Sequence, residues 1–219
     1  MVDTLADCSV DRSRLEASRH LSGALAVLLV ALVLVAAGCH RILPLDTTAL
    51  DTAGMDYDTI QQLKTLRITS PEVTEIAKAR QGGFRDAHCV QATRIFHLGG
   101  QAFKAGDAIA GLVQVGMSDD AILELARLNQ LGIGVGELQA MRLAGLSDET
   151  LLAVARRHSE GKPVLSGASL AGMKNTGLRE STLLELARHG VPESQAEAIL
   201  SFRRHGASDA AVLRRFASS

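Results

Sequence analysis

The chain is expected to be all-α, built from short helical hairpins stacked at a period of about 30 residues. Three observations predict this. First, the segment Gly116-Met-Ser-Asp-Asp-Ala-Ile-Leu-Glu-Leu-Ala returns as Gly145-Leu-Ser-Asp-Glu-Thr-Leu-Leu-Ala-Val-Ala, then from Gly177 and again from Gly206. A degenerate copy opens at Gly83-Phe-Arg-Asp-Ala-His-Cys-Val, so successive leading glycines lie 33, 29, 32 and 29 residues apart. A near-constant spacing of this size marks a stacked supersecondary unit. Second, no stretch shows the apolar/polar alternation of a strand. Third, aromatic residues are scarce, with five Phe, one Tyr and no Trp. The core must therefore come from Leu, Val, Ile and Ala, which suits closely packed short helices and offers no aromatic platform for sugars or bases.

The amino-terminal stretch is of another kind. Leu21 to Gly38 reads LSGALAVLLVALVLVAAG without a charge and runs into Cys39. Its length lies between a secretory apolar segment of about 7–15 residues and a membrane span of about 20. Ala36, Ala37 and Gly38 are small, as a peptidase groove requires. Residues 35–39 with the preceding apolar run resemble the lipobox of bacterial lipoproteins, usually Leu-(Ala/Ser)-(Gly/Ala)-Cys, departing from it at Ala36, where the family more often has Leu. The resemblance implies cleavage before Cys39, a diacylglycerol on its thiol and an acyl chain such as palmitate on the new amino group. Each buried methylene contributes about 0.8 kcal/mol, so two or three chains hold firmly where one does not. His40 follows the Cys in place of the Asp that retains many family members in the inner membrane, which implies the outer membrane, facing the periplasm. The alternative is an uncleaved signal anchor in which Cys39 is an ordinary small residue. Residues 1–20 carry Arg12, Arg14 and Arg19 against Asp3, Asp7, Asp11 and Glu16, although a cytoplasmic flank is normally positive. From Val10 onward the balance is positive, so translation is expected to start near Val10.

The expected organisation is a signal peptide over residues 1–38, a lipidated tether over 39–57 and a helical-repeat domain over 58–219. The tether holds Pro44 and no sustained period. It would span at most about 60 Å stretched and about 25 Å as a coil, keeping the body near the bilayer. Removing residues 1–38 from the 219 leaves 181, enough for one domain with a real core. Lys and Arg fall from 23 to 20, and Asp and Glu from 24 to 20, so the mature chain is neutral. That balance argues against capture of nucleic acid or anionic lipid by charge alone. Cys8 leaves with the signal and Cys39 takes the lipid, so Cys89 has no partner for a disulfide.

Within each repeat the leading Gly ends one helix in a left-handed turn. Ser118, Ser147 or Ser208 caps the next, followed by Asp or Glu in the first turn to match the helix dipole. The second helix buries Ile122, Leu125 and Ala126, or Leu151, Val154 and Ala155, with Leu123, Leu152, Leu184 and Leu213 widening the stripe. The helix before each Gly repeats the spacing in Ile109/Leu112, Leu138/Met141, Leu170/Met173 and Ile199/Phe202. Helices of two to three turns are marginal alone and persist only by packing on one another. The unit resembles uncharacterised short helical motifs of bacterial envelope proteins, to which no activity is attached.

Chemistry-bearing motifs are few. Leu128-Asn-Gln-Leu-Gly-Ile-Gly134 and the stretch from Gly190 to Gly206 resemble the hairpin of helix-hairpin-helix DNA-binding modules, whose turn amides hold a phosphate. On that reading Gly132, Gly134, Gly190, Arg203 and Arg204 would touch nucleic acid. The second hairpin departs from the pattern, since Gly190-Val191-Pro192 lacks the second Gly and one amide. The pairs Arg156-Arg157, Arg203-Arg204 and Arg214-Arg215 fall near helix carboxyl ends and read as dipole complements. His88, Cys89 and His97 lie close in sequence but not at a zinc spacing. Ser166 and Ser169 lack a nucleophile elbow and read as helix caps, and Gly132-Ile-Gly-Val-Gly136 lacks a preceding strand. The expected protein is non-enzymatic and cofactor-free, lipid-anchored in the cell envelope, with an envelope protein or a second copy as partner. A periplasmic nucleic-acid-binding module is the alternative, and an uncleaved signal-anchor membrane protein the second.

Overall fold

The computed structural model describes residues 45–131 and 134–217. Residues 1–38, Cys39, the first part of the expected tether and Gly132 lie outside the described residues. Twelve α-helices and a single 3-10 turn, Glu193–Gln195, make up the described chain, with no strand among them. They fall into six pairs. The first helix of each pair is α1 (Thr48–Thr52), α3 (Ser70–Gln81), α5 (Gly106–Gln114), α7 (Val135–Leu143), α9 (Gly167–Asn175) or α11 (Ala196–Arg204). The second is α2 (Tyr57–Thr65), α4 (Asp86–Leu98), α6 (Asp119–Arg127), α8 (Asp148–Ser159), α10 (Glu180–His189) or α12 (Asp209–Phe216). Odd helices pack on odd neighbours along one row and even helices on even neighbours along a second. Every substantial helix contact joins adjacent pairs or lies within one pair, so the body is an open two-layer stack.

Each hairpin is made by the same local physics. The leading glycines Gly54, Gly83, Gly116, Gly145, Gly177 and Gly206 all have positive φ, from 73° to 103°, which an L side chain rarely adopts. The next residue then turns its N–H back five residues. Leu146 donates to the Met141 carbonyl at 3.1 Å, as Met117 does to Leu112 and Leu178 to Met173. This closes the carboxyl end of the odd helix and drives the apolar residue after Gly into the core, where Leu146 is fully buried. Ser118, Ser147 and Ser208 then cap the even helices, accepting the N–H groups of Ala121, Thr150 and Ala211. Ile109, Leu112, Leu170 and Ile199 on the odd row, and Ile122, Leu125, Leu151 and Leu186 on the even row, are fully buried between the layers. Each such side chain contributes about 1.5–3 kcal/mol. The widening position behaves less uniformly than expected: Leu123 is buried, whereas Leu152 and Leu213 are only half-buried at the edge.

The body begins earlier than the expected boundary at residue 58. From Leu45 onward the chain belongs to the compact unit. Helix α1 packs against α3, Leu50 is fully buried, and Gly54-Met55-Asp56 opens a further repeat. A five-residue helix is too short to display a period, which is why this stretch read as tether.

The uneven spacing also has a cause. Thirteen residues after Gly54, Gly116 and Gly177 stand Arg67, Asn129 and Gly190, all with φ between 55° and 70°, which stop α2, α6 and α10 early. In the alternate pairs the stop comes later, at Gly100 and Gly161, so α4 and α8 run to 13 and 12 residues. Short and long pairs thus alternate.

Candidate functional site

The polar side chains that could serve chemistry are mostly engaged in joining one repeat to the next. The first-turn acid of each even helix does more than face its own dipole. Asp86, Asp119, Asp148, Glu180 and Asp209 each reach the preceding repeat and accept the N–H of its cap residue, Asp56, Arg85, Ser118, Ser147 and Arg179. Four of these bonds are 2.9–3.0 Å and that of Arg85 is 3.4 Å. Glu180 shows the chemistry most fully. Burial raises its pKa, but hydrogen bonds from the Thr150 hydroxyl, the Ser147 amide and hydroxyl and the Lys174 ammonium outweigh that and hold it at about 2. In the first repeat the equivalent position is Tyr57, which has no repeat before it among the described residues and is 72 % exposed.

Arginines complete the joints. Arg142 Nη2 donates to the Gly116 carbonyl at 2.7 Å and Arg203 Nη2 to that of Gly177 at 2.9 Å. Arg203 also binds the Ala207 carbonyl at 2.7 Å and faces Asp209 at 3.4 Å. Arg80 repeats the arrangement with Gly54 and Asp86. Arg204 pairs with Glu197 at 3.0 Å. The nucleic-acid reading has Arg203 and Arg204 touching nucleic acid, and the structure places both in intramolecular contacts. Gly190 closes α10 in a left-handed turn, its N–H donated to the Ala187 carbonyl and the Arg157 guanidinium lying across it. Gly134 has φ 78° and starts α7. No hydrogen bond or ion pair joins these glycines to Arg203 or Arg204 among the described residues. Arg156 and Arg157 also bridge repeats, Arg156 reaching Glu124 at 3.1 Å and Arg157 the Arg188 carbonyl at 3.1 Å, while Arg215 lies 4.9 Å from the Phe202 ring within its own pair.

His88, Cys89 and His97 go three ways along α4. His88 meets Asp119 at 3.3 Å and Asp120 at 3.5 Å on the next repeat. Cys89 is fully buried, and burial pushes its thiol up to about 12, which leaves it protonated and unreactive at neutral pH. His97 points the other way, to Glu72 on α3. Among the described residues no three His, Cys, Asp or Glu side chains are placed to hold a metal ion, and no helix is long and apolar enough to cross a membrane.

Glu72 was missed by sequence reasoning. It is 2 % exposed, yet accepts four hydrogen bonds: Thr69 N–H and hydroxyl at 2.8 Å, Phe103 N–H at 2.9 Å and His97 Nε2 at 2.6 Å. Burial raises its pKa, and these bonds more than reverse it to about 2. Glu72 closes a capping box on α3 and pins the loop between α4 and α5. Only the box, Thr69 followed by Glu72, was readable locally.

Several concavities mark this scaffold, and one of them has an apolar floor. A cavity of about 290 Å³ opens where α7, α8 and the loop before α9 meet, floored by Leu138, Met141, Val154 and Leu165. Gln130, Glu137, His158 and Glu193 supply its polar rim. Glu137 accepts the Gly167 N–H and Glu193 the N–H of Ser166, which also caps α9 for Ser169. Gly167 lies so close to Glu137 and Met141 that a Cβ there would overlap both. The chain matches no protein-family model, no curated protein and no solved structure. The internal geometry is therefore the guide to function.

Proposed function

We propose that the protein is a non-enzymatic, lipid-anchored scaffold of the bacterial cell envelope, held through Cys39 to the outer membrane and facing the periplasm. The observation that carries this reading is the way the polar groups are used. Carboxylates, serines and arginines along the stack are committed to caps and joints, which gives a long two-row surface of near-neutral charge. Stacks of this kind present extended surfaces to other proteins. The partner is an envelope protein or a second copy of this chain.

Two measurements test it. Mass spectrometry of the amino-terminal peptide from native membranes should find Cys39 as the first residue with acyl chains attached. An intact, unmodified segment through Cys39 would replace the lipid anchor with a signal anchor. Cross-linking in gently solubilised membranes should capture a partner through the repeat body, and a strictly monomeric, partner-free body would end the scaffold reading.

A further inference from the structure

The cavity beside α7 and α8 has a filled counterpart within the same chain. Glu72 stands eleven residues before Gly83, and Gly134 eleven before Gly145. His97 stands three before the left-handed Gly100, and His158 three before the left-handed Gly161. Phe103 stands three before Gly106, the first residue of α5, and Val164 three before Gly167, the first of α9. In the second repeat these positions form one knot, with the Glu72 carboxylate on His97 and on the Phe103 N–H and the fully buried Phe103 ring against Phe96. In the fourth repeat the counterparts Gly134 and Val164 line the cavity together with His158, which, counted from Gly145, stands one helical position before the place of His97. The carboxylate has become hydrogen and the phenyl ring an isopropyl group. Neither the His158 imidazole nor the Val164 N–H has a hydrogen-bond partner among the described residues.

We propose that this cavity binds a small organic acid with a short apolar tail. The carboxylate takes the place of the Glu72 side chain, between His158 and the Val164 amide. The tail takes the place of the Phe103 ring, over Leu138, Met141, Val154 and Leu165. The titratable groups facing it are Glu137 from α7, His158 from α8 and Glu193 from the turn before α11. Both glutamates are already bound by amides at the start of α9. Glu75, the counterpart of Glu137, stands with Glu72 on α3 and caps Gly106 in the same way, so one carboxylate beside this position is accommodated in the chain itself. There Lys78 offsets the charge of Glu75 at 2.8 Å, and the fourth repeat has Ala140 instead. The acid is therefore held by the His158 imidazole and the Val164 N–H without a lysine beside it.

The site is independent of the anchor and of any protein partner. Its test is calorimetric titration of the detergent-solubilised full chain with isocaproate, with isoamylamine of similar shape as the control. Saturable isocaproate binding is expected, falling about tenfold in His158→Ala, as the loss of one hydrogen bond to a carboxylate implies. Val164→Phe restores the ring of the second repeat and should abolish binding. His158 is exposed, so its variant folds and carries the test if Val164→Phe does not. No isocaproate binding, binding of isoamylamine in its place, or isocaproate binding indifferent to His158→Ala would overturn the proposal.

Discussion

Glu72 shows how much a single side chain can hold. Its carboxylate joins α3 to α4 and to the loop before α5 through partners 25 and 31 residues away. Replacing it by Gln keeps the shape but leaves a neutral group among donors chosen for a charge, and Glu72→Gln should cost about 2–3 kcal/mol in urea unfolding at neutral pH. The pH dependence has a fixed sign. The carboxyl sits at about 2 in the folded protein against 4.5 ordinarily, so its contribution is complete above about pH 4.5 and is lost as pH falls toward 2. Acid titration of stability should therefore be less steep in Glu72→Gln than in the parent across that window, and equal steepness would show that the bonds to Glu72 do not favour its charged form. Arg67 makes the opposite case. It holds φ 56° where Gly190 stands in the equivalent turn, so Arg67→Gly should stabilise by about 1 kcal/mol, read as a rise in melting temperature. The knot around Glu72 was not legible in the sequence, because no local pattern links Glu72 to His97 or Phe103.

The helices carry the part that was legible. Gly, an apolar residue, a capping Ser and an acid form a local signature, and each letter acts within one turn, so the copies from Gly116 to Gly206 could be read directly. The copy at Gly54 escaped because Tyr57 stands where the others have an acid, and α1 before it is five residues long. The alternation of 29 with 32 or 33 residues was visible as numbers but not as structure, since only one of the three early stops, Gly190, is a glycine. The acid of the signature was assigned to its own helix dipole, whereas it also binds the neighbouring repeat. This second role predicts a larger penalty than a surface acid would carry. Asp148→Ala should cost about 1–2 kcal/mol, because it leaves the Ser118 N–H unpaired and removes a partner of Arg142, while Asp58→Ala on the exposed first repeat should change stability by less than about 0.5 kcal/mol. Equal losses in the two would remove the joint as a source of stability.

At the scale of the molecule, contacts run only from neighbour to neighbour, so stability should be distributed along the stack rather than gathered at one centre. Amide hydrogen exchange should show the slowest opening in α5 to α8, which have repeats on both sides, and faster opening in α1, α2, α11 and α12. Uniform protection across all twelve helices would mean the stack opens as one unit. The candidate residues sort by the same logic. Arg203, chosen for the nucleic-acid reading, is a joint residue, because a helix end in a stack is also an interface, and a lone sequence cannot distinguish an arginine aimed at solvent from one aimed at the preceding repeat. The cavity at α7 and α8 exists where one copy departs from another, and such a departure is visible only once the copies are placed side by side.

The alternation of short and long hairpins sets the grain of the molecule. Arg80, Arg142 and Arg203 recur every second hairpin, each answering a glycine 26 residues before it, so the true modular block is a pair of 61 or 62 residues rather than one of about 30. Duplicating residues 116–176 would lengthen the stack while leaving every joint of its native kind. Deleting one hairpin would bring together two surfaces that never meet in the parent. Growth and shrinkage of this protein by recombination are thus quantised in pairs.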